Sequence, residues 1–295
     1  MNILDAHKKF RRYCLFEEQL RQSTVKASKA SIRTFMKRTG VENVKEMTLD
    51  VLREFFYEGM ERHQWSFWCF MNYYKYLKKF LDWCIKEGYI KVNPILEIKK
   101  PKKPQTLPRR LTYEEAQRVL QVTLNYDWRY EFEHSRNYAI VAILFYGGLR
   151  CREILNLQMI DVNINVGNIL IRSGKGNKDR NVPIHSKLRY ILKHYIQDRK
   201  RLGKTSEYFF TGVQSDLPLN YKAISRICKK VSIESGIKFT PHQCRHTFGS
   251  VAVEQGMGLV QLKEIMGHSD ISSTMIYMKM SSKSLKEGLD KIELF

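Results

Sequence analysis

The chain has 295 residues, and 51 lysines and arginines against 30 acidic residues give it a formal net charge of +21 at pH 7. This length allows one large domain or two ordinary ones, and a positive field of this size indicates a long polyanion as partner. Basic charge alone does not separate a DNA enzyme from an RNA binder or a repressor.

The composition also argues against several classes of protein. Six cysteines are scattered without a CxxC pair, which argues against a disulfide framework and a zinc ribbon. No uncharged apolar run reaches the roughly 18 residues of a membrane span, and the start MNILDAHKKFRRY lacks the features of a signal peptide. We therefore expect a cytoplasmic protein with no membrane partner.

Residues 1–98 are predicted to form a small all-helical domain. The segment WSFWCFMNYYKYLKKFLDWCIKEGY carries apolar side chains at helical spacing, and Gly88 is a suitable end for the helix. We expect its aromatic stripe to lie in the core rather than to stack on bases. The lysines fall largely on other faces, and Lys75, Lys78 and Lys79 are the candidates for phosphate contact.

A basic, proline-rich linker is predicted at 99–110. Four of the seven prolines lie between residues 93 and 111, where they disfavour helix and favour an extended chain. The segment is either a solvated tether or a strand that follows a DNA backbone, and we expect the second because its cations otherwise repel one another. These cations are Lys99, Lys100, Lys102, Lys103, Arg109 and Arg110.

The remaining residues, 111–295, are predicted to form a mostly helical domain with a small sheet. TYEE has the spacing of a capping box and begins a helix, and SRNYAIVAILFYGG is a largely buried helix that ends at two glycines. Two strand-like runs at 169–172 and 181–184 flank a Gly/Asn/Lys turn, which predicts a β-hairpin. Helices return from about residue 219.

Two segments place cations at breaks in this domain. In GGLRCREILNL, Arg150 follows the glycines and Glu153 is placed to hold its guanidinium; the alternative is an ordinary surface ion pair. In the hairpin turn SGKGNKDR, Lys175 lies between two glycines and can present a mobile proton donor, and a P-loop is excluded. Lys178 and Arg180 are expected to contact DNA backbone or solvent.

The segment TPHQCRHTF begins with a capping threonine and a proline suited to a first helical turn. His242, Arg245 and His246 then share one side of the helix. His-x-x-x-His is also a zinc spacing, but Gln243 stands where metalloproteases need glutamate, and Arg245 would repel the cation. We expect no metal site here.

The last block, MGHSDISSTMIY, places His268 at a helix end and Tyr277 on a capped short helix. A core tyrosine is one alternative, and the helix-turn-helix look of the region makes a repressor another. Taken together, however, two arginines, a lysine, two histidines and a tyrosine at helix ends and turns suit phosphoryl transfer to a tyrosine.

Across these four blocks the chain resembles the tyrosine recombinase or phage integrase family, and its Xer-like branch in length and layout. The resemblance implies a two-domain C-shaped clamp, mainly α with a small β-sheet, in which a helical SAM-like core-binding domain (1–98) precedes a mixed α/β catalytic domain (111–295). YMKM after the tyrosine departs from the Thr-His of many members. By position, the resemblance implies the catalytic residues Arg150, Lys175, His242, Arg245, His268 and the nucleophile Tyr277, with Glu153 supporting the first arginine.

The resemblance further implies strand exchange between two duplex DNA sites through a covalent 3′-phosphotyrosine, without metal, ATP or cofactor. It implies a homotetramer on paired sites in the nucleoid, exchange of the tail SSKSLKEGLDKIELF between protomers, and a possible accessory DNA-bending or directionality factor. Integration or excision of a mobile element and resolution of chromosome or plasmid dimers both stay open. A type IB topoisomerase-like enzyme and a non-catalytic DNA-binding regulator are the alternatives.

Overall fold

The computed structural model describes residues 1–104, 109–172, 179–268 and 270–280. The chain divides into two compact units, Met1–Thr106 and Leu107–Phe295. The described residues are mostly helical, and they include a three-stranded sheet in the second unit. The prediction of a mainly α protein with a small β-sheet is confirmed. Within the described ranges, no helix is both long enough and apolar enough to cross a membrane.

The first unit is helical throughout its described residues. A continuous core of aromatic and aliphatic side chains joins its helices, with Phe10, Phe35, Phe55, Phe56 and Phe80 fully buried. Its elements are α1 (Ile3–Arg12), a π turn (Tyr13–Glu17), α2 (Gln22–Thr39), a 3₁₀ turn (Val44–Glu46), α3 (Leu49–Glu61), α4 (Phe67–Lys86) and a second 3₁₀ turn (Pro94–Glu97).

Helix α4 forms where the aromatic-rich segment predicts it. The Ser66 side chain accepts a hydrogen bond from the Cys69 amide and caps the first turn. The aromatic stripe lies in the core as expected, and Tyr74 is buried more completely than Tyr73, which stacks on Trp65. The stripe is therefore a packing surface within this unit.

The second unit contains the remaining elements. Several of its helices begin at a side-chain cap, and Thr112 and Glu115 make the predicted capping box. In chain order the elements are α5 (Tyr113–Asn125), α6 (Glu131–Tyr146), α7 (Cys151–Leu155), a 3₁₀ turn (Met159–Asp161), β1 (Val162–Asn163), β2 (Asn168–Ile171), β3 (Arg180–Pro183), α8 (Ser186–Arg201), α9 (Tyr221–Ser235), α10 (Pro241–Glu254), α11 (Leu259–Met266) and α12 (Ser272–Met280).

Helix α6 is the central element of this unit. It is apolar on nearly all sides, and it packs against α5, α8, α9 and α10. The helix ends at the two glycines, and Gly148 has a φ of +59° that favours glycine. A Cβ on Gly148 would lie 2.3 Å from the Phe248 ring. The close approach of α10 to this turn therefore requires a residue without a side chain.

The sheet is antiparallel, in the order β1-β2-β3. In the hairpin, Ile169 pairs with Val182 and Ile171 pairs with Arg180. Both hairpin strands begin one residue earlier than predicted, and the two-residue strand β1 was not predicted. Alternation places Ile169, Ile171 and Val182 in the core.

Candidate active site

The turn after α6 positions the first candidate catalytic residue, Arg150. This residue is the N-cap of α7, and its backbone N–H donates to Glu153 Oε2 at 2.8 Å. Its guanidinium donates from Nη1 to Glu153 Oε1 at 2.7 Å and from Nη2 to the carbonyl of Gly267 at 3.0 Å. Glu153 therefore fixes both the backbone and the side chain of Arg150, which is more than a surface ion pair does.

Glu153 is itself enclosed, and its side chain is only 8% exposed. Burial by itself would raise its pKa, but the hydrogen bonds and charge of Arg180, together with the hydrogen bonds of Arg150, hold the pKa at about 2. The carboxylate is thus ionised throughout the physiological pH range.

Arg180, for which contact with DNA backbone or solvent is predicted, is turned toward Glu153 in the structure. Its Nη1 and Nη2 donate to the two oxygens of Glu153 at 2.9 and 2.8 Å, and its Nε donates to the carbonyl of Ile265 at 2.8 Å. The side chain is 10% exposed. The hairpin strand turns this arginine inward, because its partner carboxylate lies in the interior of the same unit.

Helix α10 carries the second arginine and the histidine pair. Thr240 caps it as predicted, and Pro241 occupies its first turn. Arg245 is 3% exposed and donates to the carbonyls of Gly148 and Met266, both at 2.5 Å. Burial and the nearby Arg150 lower its pKa to about 10, so Arg245 stays charged at neutral pH.

The two histidines of α10 contact each other directly. Nε2 of His246 lies 3.0 Å from Nε2 of His242, so one nitrogen donates and the other accepts. Burial and the charges of Arg245 and Arg150 lower the pKa of His242, while burial, His242 and Arg245 lower that of His246 to about 4. Both rings are neutral at pH 7. Among the residues that the structure describes, no group of three or more His, Cys, Asp or Glu side chains is arranged to hold a metal.

The loop after α11 and helix α12 complete the cluster. Nδ1 of His268 lies 2.9 Å from the hydroxyl oxygen of Thr274, and its ring stacks on Tyr277 at a centroid distance of 6.3 Å. Tyr277 is buried at 1% exposure, and its ring centroid lies 5.7 Å from that of His246. Burial raises the pKa of Tyr277, and the charges of Arg245 and Arg150 act in the opposite direction.

The structure therefore brings six of the seven predicted catalytic and supporting residues into one cluster. The seventh, Lys175, lies outside the described residues, and so does Lys178, a predicted DNA contact. A phenol, two guanidiniums, a carboxylate and two imidazoles, with the His246 ring beside them, can bind an anionic ester and exchange its protons. The six are Arg150, Glu153, His242, Arg245, His268 and Tyr277.

Comparison with known proteins identifies the family. The family model described as the phage integrase family matches residues 109–284, more than half of the chain. The chain belongs to the phage integrase family. All four sequence blocks of the cluster lie inside this match.

Relatives and solved structures agree with this family assignment. The chain is 35% identical over 199 residues to tyrosine recombinase XerA of Pyrococcus furiosus, which covers 67% of this chain and 66% of the relative. It is 30% identical over 217 residues to tyrosine recombinase XerD of Oceanobacillus iheyensis, covering 72% of this chain and 71% of that protein. The chain thus spans about two thirds of the length of these relatives.

The fold has a close counterpart in the Tn1549 transposon integrase in complex with transposon right end DNA. That structure aligns with a TM-score of 0.74 at 19% identity and covers 99% of both chains. At this identity the likeness shows the fold of the phage integrase family.

The three lysines of α4 that are predicted to contact phosphate differ in their partners. In α4, Lys78 pairs with Asp82 at 2.5 Å and Lys79 pairs with Glu18, while the ammonium of Lys75 lies 6.0 Å from the Tyr76 ring. These are exposed or half-buried pairs that a phosphate can replace at small cost.

The linker cations are mostly exposed. Lys99 and Lys102 are exposed, and the ammonium groups of Lys100 and Lys103 lie 4.8 and 5.8 Å from the rings of Tyr74 and Trp68. Arg109 is exposed, whereas Arg110 pairs with Glu254 at 2.6 Å. Contact of these residues with DNA stays a prediction.

Sequence reasoning missed two supporting residues of this family member's cluster. Thr274 lies on α12, fully buried, and bonds His268. Gly249 lies on α10 directly under the Tyr277 ring, where a Cβ would be 2.7 Å from Tyr277 Cζ. A glycine inside a helical pattern is a signal of close packing, and it could have marked Gly249.

Proposed function

We propose that the chain is a site-specific DNA recombinase that cuts and rejoins DNA through a covalent 3′-phosphotyrosine. The phenolic oxygen of Tyr277 attacks a backbone phosphorus, the P–O5′ bond breaks, and a 5′-hydroxyl leaves. The 5′-hydroxyl of the exchanged strand then attacks the same phosphorus and releases the tyrosine. Each step replaces one phosphate ester by another, so the reaction consumes no ATP.

The observation that carries this proposal is the packing of Tyr277 beside two charged arginines in a largely buried cluster. The charges of Arg150 and Arg245 favour the phenolate, although burial opposes it. Arg245 uses two of its N–H groups on carbonyls, and the planar guanidiniums have others left for non-bridging phosphate oxygens. Donors held in place before the reaction stabilise the charge that develops on these oxygens.

The histidines have assigned proton positions in this proposal. Nδ1 of His246 is buried and has no hydrogen-bond partner. A buried N–H without a partner costs more than a lone pair without one, which favours Nδ1 as the unprotonated nitrogen. His246 then donates from Nε2 to Nε2 of His242, and His242 keeps an Nδ1–H that can donate to the phosphate. His268 assists proton transfer at Tyr277, and Lys175 protonates the leaving 5′-oxygen.

The partners follow from the same reaction. Double-stranded DNA with paired recombination sites is the substrate, and the charge of +21 supports a DNA partner. The first unit is the core-binding domain, and the basic linker follows the DNA backbone. Four protomers act on two synapsed sites in the nucleoid, with exchange of the tail 281–295 and an accessory DNA-bending or directionality factor.

The test is covalent capture on nicked suicide duplexes in EDTA. The panel contains the DNA that flanks the gene and the dimer-resolution site of its host, with wild type and Tyr277→Phe side by side. We expect an SDS-resistant adduct with wild type alone. Tight, salt-sensitive binding to one of these sites without an adduct would instead support a DNA-binding regulator, and relaxation of supercoils without a partner site would support a topoisomerase.

A further inference from the structure

We propose that Arg180 is a positioning residue of this site: it holds Glu153, and through Glu153 it holds the guanidinium of Arg150 in the orientation that the phosphate requires. The inference rests on the proposed function, because it concerns the same reaction. It gives a role to an arginine that, among the described residues, contacts neither Tyr277 nor any histidine of the cluster.

Two guanidiniums share the one carboxylate of Glu153. Oε1 of Glu153 accepts from Arg150 Nη1 at 2.7 Å and from Arg180 Nη1 at 2.9 Å. Oε2 accepts from the Arg150 backbone N–H and from Arg180 Nη2, both at 2.8 Å. Each oxygen thus has one bond from each arginine. With Arg180 gone, Glu153 could rotate about its terminal torsion, and the Arg150 side chain would lose its fixed plane.

Arg180 makes a third hydrogen bond, to the C-terminal end of α11. Its Nε donates to the carbonyl of Ile265, one residue before Met266, whose carbonyl accepts from Arg245 at 2.5 Å. The next carbonyl, that of Gly267, accepts from Arg150 at 3.0 Å. Three consecutive carbonyls at the end of α11 therefore hold three guanidiniums, where the partial negative charge of the helix end favours cations. Arg180 ties β3 to this helix end.

The chain at Gly267 packs closely against the Arg180 side chain. Gly267 has a φ of +61°, and a Cβ on it would lie 2.9 Å from Cδ and Nη1 of Arg180. A side chain at position 267 would therefore crowd Arg180, and the glycine leaves free the space that Arg180 occupies. A lysine cannot reproduce three directed bonds from one planar group, so the position is specific for arginine.

Arg180 also keeps the Glu153 carboxylate ionised. The hydrogen bonds and charge of Arg180 counter the burial of Glu153, which by itself raises the carboxyl pKa. Without Arg180 the pKa of Glu153 rises, and protonation would remove one acceptor from Arg150 at acidic pH. A loss of packing alone would not create such a pH dependence.

The experiment measures single-turnover cleavage of a suicide duplex at saturating DNA, and separately the DNA dissociation constant. Arg180→Met is compared with Arg172→Met, a matched control in the same hairpin. Arg172 is also an arginine with one ion pair, to Asp161 at 2.5 Å, but it is 51% exposed and, among the described residues, forms no hydrogen bond or ion pair with the Arg150 cluster. We expect Arg180→Met to cleave about 10- to 100-fold more slowly at unchanged affinity, since misplacement by about 1 Å can cost this much. The Arg172 variant should stay within about twofold of wild type.

Two further readouts separate positioning from other roles. The acid limb of the cleavage rate should move to higher pH in Arg180→Met, and Arg180→Lys should restore part of the rate. In a Glu153→Gln background, the loss caused by Arg180→Met should shrink several-fold, because both changes break the same contact. If circular dichroism shows that Arg180→Met does not fold, the same comparison is made with Arg180→Lys alone, which should still cleave more slowly than wild type at unchanged affinity.

Three results would overturn the proposal. The first is cleavage by Arg180→Met at the wild-type rate, and the second is weaker DNA binding by this variant with an unchanged cleavage rate at saturating DNA. The third is a double variant whose loss of cleavage rate equals the product of the losses in Arg180→Met and Glu153→Gln. Weaker binding with a smaller salt dependence would instead return Arg180 to a phosphate contact. Failure of the recombinase proposal is distinguishable, since wild type itself would then give no adduct.

Discussion

The ion pairing of Glu153 gives a quantitative prediction for Glu153→Gln, which keeps the shape of the side chain and removes its charge. The decrease of the Glu153 pKa from its usual 4.5 to about 2 corresponds to roughly 3 kcal/mol at about 1.4 kcal/mol per pH unit. Loss of one partner of a buried pair costs a similar amount, about 3 to 5 kcal/mol. We therefore expect the variant to lower the free energy of unfolding of the second unit by about 3 kcal/mol at pH 7.

The pH dependence follows from the direction of the change. Because the folded pKa lies below that of the unfolded chain, the contribution is complete above about pH 4.5 and is lost as the pH falls toward 2. The difference between wild type and Glu153→Gln should therefore shrink progressively below pH 4.5.

Hydrogen exchange in peptides from α6 and α7 measures this difference in the second unit alone. Glu131→Gln is the control, since Glu131 pairs with Arg201 at 3.0 Å on the surface of the same unit, and such a pair contributes little. Equal protection of Glu153→Gln and wild type at pH 7, or a difference that persists unchanged down to pH 3, would refute this account of the ion pairs.

Three other predictions concern the cluster and its protons. Gly249→Ala should slow covalent capture about tenfold or more with little loss of stability, because the added methyl group displaces the end of the Tyr277 ring and not the backbone. A capture rate equal to that of wild type would contradict this packing. The free energy of unfolding should fall as the pH is lowered from about 6.5 to 4, because the pKa values of His7 and His246 are lowered to about 4 in the folded chain and the unfolded chain therefore binds more protons in this range. Replacing each histidine by leucine should flatten the pH dependence of hydrogen exchange in its own unit, and an unchanged slope would contradict the assignment. Lys175→Ala should cleave about 10² to 10⁴-fold more slowly and still bind DNA, and equal cleavage would exclude a general-acid role.

The local elements of this protein are largely predictable from its sequence. The cap of α5 at Thr112, the cap of α10 at Thr240 and the end of α6 at its glycines occur where the pattern places them. These features depend on side chains within about four residues of one another, so that a single segment contains all the information. The strands of the hairpin are displaced by one residue, because alternation fixes the faces of a strand better than its ends.

The roles of the charged residues are less readable. Lys78, Lys79 and Arg180 are alike in sequence, each a cation near other cations. In the structure the two lysines keep exposed or half-buried ion pairs, and Arg180 is enclosed against Glu153. Whether a cation faces solvent depends on which carboxylate the fold brings to it, and for Arg180 that carboxylate lies 27 positions earlier.

By itself, then, the sequence determined the residue types of the cluster and the helix ends and turns that carry them, because caps, glycine breaks and periodicity act over a few residues. Only the tertiary structure decided how Arg150, Arg180 and Arg245 divide the carbonyls at the end of α11, over separations of 117, 85 and 21 positions. Such contacts arise when separate elements pack into one core and enclose polar groups that must then find partners within it. No local pattern encodes which partners those are.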